Sequence, residues 1–443
     1  MAPHRKRSQP EVTLNLDVRG MTPSATVAIN ERCNELRRHN KKVFKLGLGQ
    51  SPFPVPAPVV EKLRTNAFQK DYLPVKGLYE LRRAVAEYYR RSQGLQFTWD
   101  NVIVGPGSKE LMFLLQLVSY SDLVIPSPSW VSYAPQAKML GRQVHWVPTS
   151  PDNDWHLTPQ QLAELCARDP SRPRIVVLNY PSNPTGSTYS VSRLKELAKV
   201  ARTYRVLVLS DEIYGELHHK GQHVSIARFY PEGTVVSGGL SKWCGAGGWR
   251  LGVLSMPASL TWLQDAIAAA ASETYTSTSA PIQYAAVRAF EGGLEIERYL
   301  SHSRRILGAL GRWCARRLSR SGISAPRPQG GFYLFADFSR KRKRLAERGI
   351  GTGAELCHAL LEETGVAILP GSDFGRPAEE LTARIAYVDF DGARALAAAE
   401  REPARGPLGE RFLRDHAGTV LEAVNRIADW TDRTPRRLGR FER

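Results

Sequence analysis

The chain has 443 residues, of which 42% are hydrophobic, and it carries a formal net charge of +18 at pH 7. A chain of this size predicts a large buried core shared between two domains. No apolar run approaches the ~20 residues that cross a bilayer, and the five scattered cysteines form no Cys-x-x-Cys pair, which argues against a zinc site and a disulfide framework. We therefore expect a cytoplasmic protein with no membrane span and no metal.

The positive charge is spread along the chain. Its densest blocks, residues 340–344 and 433–440, lack interleaved aromatic side chains, so we interpret them as solvated surface and predict no nucleic-acid partner. A basic surface is compatible with a negatively charged or nucleotide-bearing second substrate. Residues 1–12 are basic without an apolar stretch behind them, which predicts a disordered tail and not a secretory signal.

The first predicted element is an amphipathic helix over residues 24–39 that begins at Ser24. A loop rich in glycine and proline follows it over residues 47–58. We expect residues 13–60 to form an arm that also completes part of a small domain.

Residues 61–300 alternate apolar strands with helical segments. This alternation predicts an α/β domain built from βαβ units, with a mainly parallel sheet flanked by helices. A long helix is expected from near Leu294, and residues 301–443 predict a smaller α+β domain. Its predicted strands cover residues 332–338, 366–369 and 382–388.

The strand at Val102–Val104 runs into Gly107, Ser108 and Lys109 and then into an apolar helix. Backbone N–H groups, a hydroxyl and the positive end of a helix dipole suit a phosphate group. The same residues are also ordinary helix-capping residues. After the next strand, at 123–125, Trp130 is placed either to stack on a flat ring or to pack in the core.

Two further strands deliver polar residues to the same edge of the sheet. Residues 174–178 end in the turn that holds Asn183, and residues 206–209 lead into Asp211 and Tyr214. A carboxylate at the carboxyl end of a parallel strand can keep a heteroaromatic nitrogen protonated, and Tyr214 can donate to a ring oxygen. The alternative for Asp211 is the N-cap of a following helix.

Lys242 follows a short apolar strand and lies among glycines. We interpret it as an imine-forming amine, which must be neutral to attack an aldehyde, and Arg250 can supply the neighbouring cation that lowers its pKa. The alternative for an isolated Ser-Lys pair is a solvated loop lysine.

Taken in order, these motifs resemble the class I/II aminotransferases, fold-type I enzymes that use pyridoxal 5′-phosphate. The resemblance extends from about Leu14 to the last helix. It implies that Lys242 forms the imine with the cofactor and carries the substrate proton, that Asp211 pairs with the pyridine nitrogen, and that Tyr214 and Asn183 contact the ring oxygen. It also implies that Trp130 stacks on the ring.

The resemblance further implies the phosphate site and the assembly. It assigns Tyr72 to the phosphate of the neighbouring subunit, so we expect a homodimer with shared active sites. Gly239 replaces the serine commonly found three residues before the lysine, so we expect Ser237 or Ser241 to supply that hydrogen bond. The other residues expected around the phosphate are Gly107, Ser108, Lys109 and Arg250.

Substrate recognition is also implied by the resemblance. Arg384 matches the arginine that binds the α-carboxylate, and Gly49 matches its backbone partner, with Asn183 and Trp130 beside them. Residues 271–280 contain no basic residue, whereas aspartate-type members use an arginine there, so we expect dicarboxylic substrates to be disfavoured. Glu273 and Tyr275 are compatible with a neutral, aromatic or cationic substrate side chain. For Glu273 we favour the alternative, a solvent-exposed residue at a helix end, because glutamate is rarely buried.

The leading function is therefore transamination between an amino acid and a keto acid. The motifs do not separate it from pyridoxal-phosphate lyases or carbon–carbon bond-forming enzymes such as the aminocyclopropane-carboxylate synthases. A DNA-binding regulator on the same fold is the alternative from another class. Such regulators carry a winged-helix domain first, and we expect the residues before Leu46 to be too few for one.

Overall fold

The computed structural model describes residues 13–403 and 406–432. The predicted basic tail at residues 1–12 and the basic block at 433–440 lie outside these ranges. The described residues contain the following strands: β1 (Phe44–Lys45), β2 (Val102–Gly105), β3 (Asp122–Ser127), β4 (Val144–Pro148), β5 (Arg174–Asn179), β6 (Leu207–Asp211), β7 (Thr234–Gly239), β8 (Gly252–Ser255), β9 (Tyr333–Asp337), β10 (Val366–Ala367), β11 (Leu369–Pro370) and β12 (Thr382–Ala386).

The α-helices alternate with these strands over the first three quarters of the chain. They are α1 (Ala25–Arg38), α2 (Ala57–Arg64), α3 (Tyr79–Gln93), α4 (Ser108–Val118), α5 (Tyr133–Met139), α6 (Pro159–Ala167), α7 (Val191–Thr203), α8 (Thr261–Ser272), α9 (Ala280–Glu291), α10 (Leu294–Arg320), α11 (Arg342–Ala346), α12 (Gly353–Thr364), α13 (Gly392–Ala399) and α14 (Glu410–Asp432).

The central sheet has seven strands in the order β2-β8-β7-β6-β5-β3-β4. Strand β8 runs antiparallel to both of its neighbours, and the other pairs are parallel. The strands are apolar and largely buried, as expected for a sheet that helices cover on both faces. The mainly parallel α/β sheet predicted for this region is confirmed.

A second group of strands follows α10, a helix of 27 residues. Strands β11, β12 and β9 form an antiparallel sheet, and β1 pairs in parallel with β10. The backbone N–H of Ala386 also donates to Leu46 O at 2.8 Å. The arm is therefore joined to the C-terminal strands. The division of the chain into domains, with boundaries at residues 60 and 300, stays a prediction.

Two predicted elements differ in detail. The helix expected from Ser24 begins at Ala25, and the Ser24 hydroxyl lies against the Thr26 hydroxyl at 3.0 Å and does not cap the helix. The single strand expected at 366–369 is divided into β10 and β11, which pair with different partners on the two sides of Ile368. The chain changes sheets at that residue.

Candidate active site

A cavity of about 330 Å³ opens where the central strands end. The strand register places Asp211 beside Asn179 on one side and beside Ser237 on the other. The volume of the cavity is within the ~300–1,000 Å³ range of small-molecule sites. Ten of the residues singled out in the sequence line it: Gly49, Ser108, Lys109, Trp130, Asn183, Asp211, Tyr214, Ser241, Lys242 and Arg250.

The Lys242 side chain is half-buried at this cavity, so the interpretation as a solvated loop lysine is wrong. Its Nζ donates to Gly49 O at 2.7 Å. Burial and then Arg384 lower the pKa of Lys242 to about 8, with Asp211 acting in the opposite direction. Arg250, the cation proposed from the sequence, contributes less than Arg384 does.

Asp211 ends β6 and is buried. Its carboxylate accepts from the Tyr133 hydroxyl at 2.5 Å and from the Ile213 N–H at 3.2 Å. Burial raises the pKa of Asp211 to about 6, and the Tyr133 hydroxyl partly offsets this rise. No α-helix starts here, since only the short 3₁₀ turn Gly215–Leu217 follows, so the N-cap alternative is not realised.

Tyr214 and Tyr333 share a hydrogen bond of 2.8 Å between their hydroxyls. Tyr333 also lies close to Gly49, where a Cβ atom would stand 1.8 Å from its hydroxyl oxygen. Only glycine leaves room for this contact, which brings the arm against β9. Burial raises the pKa of Tyr214, so its hydroxyl remains protonated and able to donate.

Arg384 lies in β12 and is almost fully buried. It donates to Asn183 Oδ1 at 3.0 Å and to Gly47 O, while its Nε has no partner in the part of the chain that the structure describes. Its guanidinium lies over the Tyr333 ring, 4.8 Å from the ring centroid. A buried guanidinium with an unused donor is suited to a carboxylate.

Helix α4 begins at Ser108, directly after Gly107. Gly107 has a φ of +98°, and a Cβ there would lie 2.2 Å from Arg250 Nη2. The Gly107 N–H already donates to Gly105 O at 2.7 Å, so this residue contributes space and not a hydrogen bond. The first N–H groups of a helix have no acceptor within the helix, so the backbone N–H groups of Ser108 and Lys109 are available to donate to a ligand.

Lys109 and Trp130 lie together on this wall, with Lys109 Nζ 5.1 Å from the Trp130 ring centroid. Trp130 also makes an edge-to-face contact with Tyr133. It is partly exposed at the cavity, which agrees with the stacking interpretation better than with core packing. Burial and Arg250 lower the pKa of Lys109.

Gly239, in the position where the family commonly has serine, has a φ of +155°. A Cβ at this residue would lie 2.7 Å from Leu251 O, so the backbone leaves no room for a serine side chain. Ser241 lines the cavity. Ser237 does not line it, although its buried Oγ lacks a hydrogen-bond partner among the described residues.

Three residues named in the sequence lie away from this cavity. Tyr72 is 90% exposed, and the chain's own cavity does not include it. Glu273 is exposed at the end of α8, and the Tyr275 hydroxyl donates to Val104 O at 3.2 Å. The cavity of a single chain therefore gives no support to Glu273 or Tyr275 as specificity residues.

The residues present fit pyridoxal 5′-phosphate. Arg250, Lys109 and the start of α4 form a cationic end for a phosphate, and Asp211 provides one carboxylate at the other end. The partnerless Arg384 Nε adds a buried donor for a second anion. Within the described ranges, no cluster of three or more histidine, cysteine or acidic side chains is arranged to hold a metal ion. None of the helices there is long and apolar enough to cross a membrane.

Sequence reasoning missed two tyrosines of the site. Tyr133 is only three residues after Trp130, on the same stretch after β3, so its position was a usable signal. Tyr333 begins β9 and has no comparable local signal. Both were missed because their partners, Asp211 and Tyr214, are 78 and 119 residues away in the sequence.

Comparison with known proteins agrees with this geometry. The family model described as aminotransferase class I and II matches residues 41–399. The chain is 35% identical to an aspartate aminotransferase of Geobacillus stearothermophilus, over 81% of this chain and 91% of that protein. It is 32% identical to an asparagine–oxo-acid transaminase of Streptococcus mutans, over 81% of this chain and 91% of that protein.

The fold has solved counterparts as well. The aspartate aminotransferase of Thermus thermophilus with maleate superposes with a TM-score of 0.80 at 29% identity, covering 95% of this chain and all of that one. The α/β architecture is therefore that of fold-type I enzymes, which depend on pyridoxal 5′-phosphate. On the extent of the family match and the identity to these relatives, the chain belongs to the class I and II aminotransferases.

Proposed function

We propose that the chain transfers an amino group from an α-amino acid to an α-keto acid, with Lys242 carrying the substrate proton. The observation that supports this most directly is the Lys242 amine, whose pKa is lowered to about 8 at a cavity that also holds Asp211. A group with a pKa near the working pH both accepts and returns a proton efficiently.

The cofactor's two ends are assigned to different walls of the cavity. Arg250, Lys109 and the free N–H groups at the start of α4 are assigned to the phosphate. Asp211 is assigned to the pyridine nitrogen, because a buried carboxylate with few donors stabilises a neighbouring cation. The cofactor, when bound, supplies an electron sink. Tyr214 and Asn183 are assigned to the ring oxygen and Trp130 to the ring face.

The substrate's α-carboxylate is assigned to Arg384. Its guanidinium is fixed by Asn183 and by Gly47 O, and its Nε is left without a partner among the described residues. A planar guanidinium binds a carboxylate in a defined orientation. This orientation would present the substrate's α-hydrogen to Lys242, whose Nζ first leaves Gly49 O, then accepts the proton and later returns it.

The identity of the amino-acid donor is a more specific proposal. The expectation that dicarboxylic substrates are disfavoured is not confirmed, and two relatives are named for aspartate and asparagine. Three cationic side chains, Lys109, Lys242 and Arg250, line the cavity against one carboxylate. Lys109 forms no ion pair within the described residues. We infer that aspartate is accepted as a donor and that Lys109 attracts its second carboxylate.

The aspartate and asparagine pair tests this role of Lys109, since the two substrates differ mainly in charge. In Lys109→Gln, kcat/KM for aspartate should fall about tenfold more than kcat/KM for asparagine. Equal losses for both substrates would instead assign Lys109 to the phosphate alone. The Michaelis constants should be measured at saturating cofactor, so that weaker cofactor binding does not enter the comparison.

A homodimer belongs to the same proposal. Tyr72 is 90% exposed, so its side chain is accessible to a second chain, as the family resemblance requires. Sedimentation should give a dimer. Mixing inactive Lys242→Ala chains with inactive Tyr72→Ala chains should restore part of the activity if the sites are shared.

Lys242→Ala tests the central assignment. The variant should lose transamination by a factor of about 10²–10⁴, because the proton carrier is gone. Borohydride reduction and peptide mapping of the wild-type protein should place the pyridoxyl group on Lys242, and the variant should yield no such peptide. Recovery of a modified peptide elsewhere in the wild type would contradict the assignment.

A further inference from the structure

The outer face of α10 carries a second concentration of positive charge, separate from the active-site cavity. Arg312, Arg316 and Arg320 follow one another at four-residue intervals, which places them in one row along the helix. Arg327 joins them from the segment after the helix. Together with Ser319, Ala315 and Ala325 they line a groove of about 470 Å³, which we call the arginine groove.

None of these four arginines has an ion-pair or hydrogen-bond partner within residues 13–403 and 406–432. Other arginines of the same helix do have partners: Arg304 binds Glu216, and Arg317 binds Asp429. The lining contains no acidic residue. Like charges at four-residue spacing repel one another and destabilise a helix, so this row is unfavourable unless an anion neutralises it.

The shape of the arginine groove leaves room for a ligand between the guanidinium groups. Arg312, at its inner end, is half-buried, and burial together with Arg327 and Arg316 lowers the pKa of its guanidinium. Arg316, Arg320 and Arg327 are exposed, so their side chains are free to converge on a ligand. Ala315 and Ala325 are small, which leaves the floor open between the guanidinium groups.

We propose that the arginine groove binds an anion with two or more linked phosphate groups, such as the polyphosphate part of a nucleotide or a short inorganic polyphosphate. Residues four apart on a helix are about 6 Å apart along its axis, so the row spans about 12 Å. That length is too great for one phosphate and suits several in succession. Guanidinium groups bind phosphate oxygens in pairs, as a fork.

A nucleic acid is the less favoured ligand. Proteins that bind single strands usually add aromatic side chains on which bases stack, and the groove's lining has none. The groove shares no lining residue with the active-site cavity, so this proposal stands independently of the transamination proposed above.

Calorimetric titration of the cofactor-loaded protein with sodium tripolyphosphate, at about 150 mM salt to screen distant charges, tests the groove. The double variant Arg316→Gln, Arg320→Gln removes two exposed guanidinium groups without disturbing the core. It should bind tripolyphosphate at least about tenfold more weakly than the wild type. The matched control is Arg340→Gln, Lys343→Gln, which removes the same charge from another exposed basic segment and should change the affinity less than about twofold.

The other outcomes overturn the proposal. No saturable binding to the wild type would reject the site, and equal weakening in the two double variants would reduce it to an effect of net charge. Inorganic phosphate binding as tightly as tripolyphosphate would reject a site for linked phosphates. A short single-stranded oligonucleotide of equal charge that binds more tightly through the same arginines would replace the proposed ligand by a nucleic acid.

Discussion

Asp211 and Glu212 are neighbouring carboxylates at the end of one strand, with opposite surroundings. Asp211 reaches the cavity and accepts one side-chain hydrogen bond, from Tyr133. Glu212 points away from the cavity and accepts from Ser210, Ser225 and His223 at 2.6–2.8 Å. Both side chains are buried, so burial alone does not distinguish them.

The difference lies in how completely each carboxylate is bonded. Glu212 has a full set of donors and stabilises the region behind the sheet, whereas Asp211 is left with bonding capacity on its cavity side. An incompletely bonded buried charge costs stability, and it persists where a ligand completes it. Matched amide substitutions at the two residues should therefore have opposite effects.

Asp211→Asn should have the largest effect on function. Without the charge opposite the pyridine nitrogen, kcat should fall by at least about 10²-fold. The cofactor-free variant should nevertheless be more stable than the wild type at pH 7. Burial raises the pKa of Asp211 in the folded wild type to about 6, against ~3.9 in the unfolded chain. The wild type therefore loses up to about 3 kcal/mol of its free energy of unfolding as the pH rises from below 4 through 6.

Denaturant unfolding of the cofactor-free proteins at pH 4 and pH 7 measures this effect. The Asn variant should show a smaller loss of stability between the two pH values than the wild type. A variant that is destabilised at pH 7 would contradict the interpretation of Asp211 as an incompletely bonded charge.

Glu212→Gln should have the opposite pattern. The amide keeps only one of the two carboxylate oxygens that accept from these three side chains, and it removes the charge that strengthens those bonds, so the free energy of unfolding should fall by about 2–4 kcal/mol. The kcat at a temperature where the variant is folded should change less than about tenfold. Equal kinetic defects in the two amide variants would remove the distinction between the carboxylates.

Tyr133→Phe should have a smaller effect, limited to the pH dependence of cofactor binding. The Tyr133 hydroxyl keeps the pKa of Asp211 lower than burial alone would set it, so its removal should raise that pKa further. As the pH is lowered, cofactor affinity, which requires the charged carboxylate, should then begin to fall at a higher pH than in the wild type. Fluorescence titration with cofactor across pH 5–8 measures the midpoint.

Tyr180→Phe is the matched control. The Tyr180 hydroxyl bonds Ser210 and the Ile226 N–H, on the Glu212 side of the strand. Its removal should leave the cofactor's pH midpoint unchanged. A similar shift in both variants would indicate a general loosening of the strand end and not a specific effect on Asp211.

Much of the site was predictable because it depends on local patterns. Short apolar runs before Asp211 and Asn183 predict buried strands, and parallel strands bring their carboxyl ends to one edge. The sequence could not show which atoms meet there. Arg384 contacts Asn183 across 201 residues, and Lys242 contacts Gly49 across 193.

Backbone geometry was the other limit. The sequence around Gly239 does not predict its φ of +155° or the approach of Leu251 O. Together these two features explain why residue 239 is glycine and not serine. The change of sheet at Ile368 also depends on partners far along the chain, and periodicity alone predicts one continuous strand there.

The contact between Gly49 and Tyr333 restricts the order in which this site can evolve. A side chain at residue 49 would collide with the ring carbon that bears the hydroxyl, at 2.6 Å, as well as with the hydroxyl itself. Removing only the oxygen would not relieve the overlap. A lineage must therefore shrink residue 333 before it can acquire any side chain at residue 49, and the reverse order passes through an intermediate that does not fit.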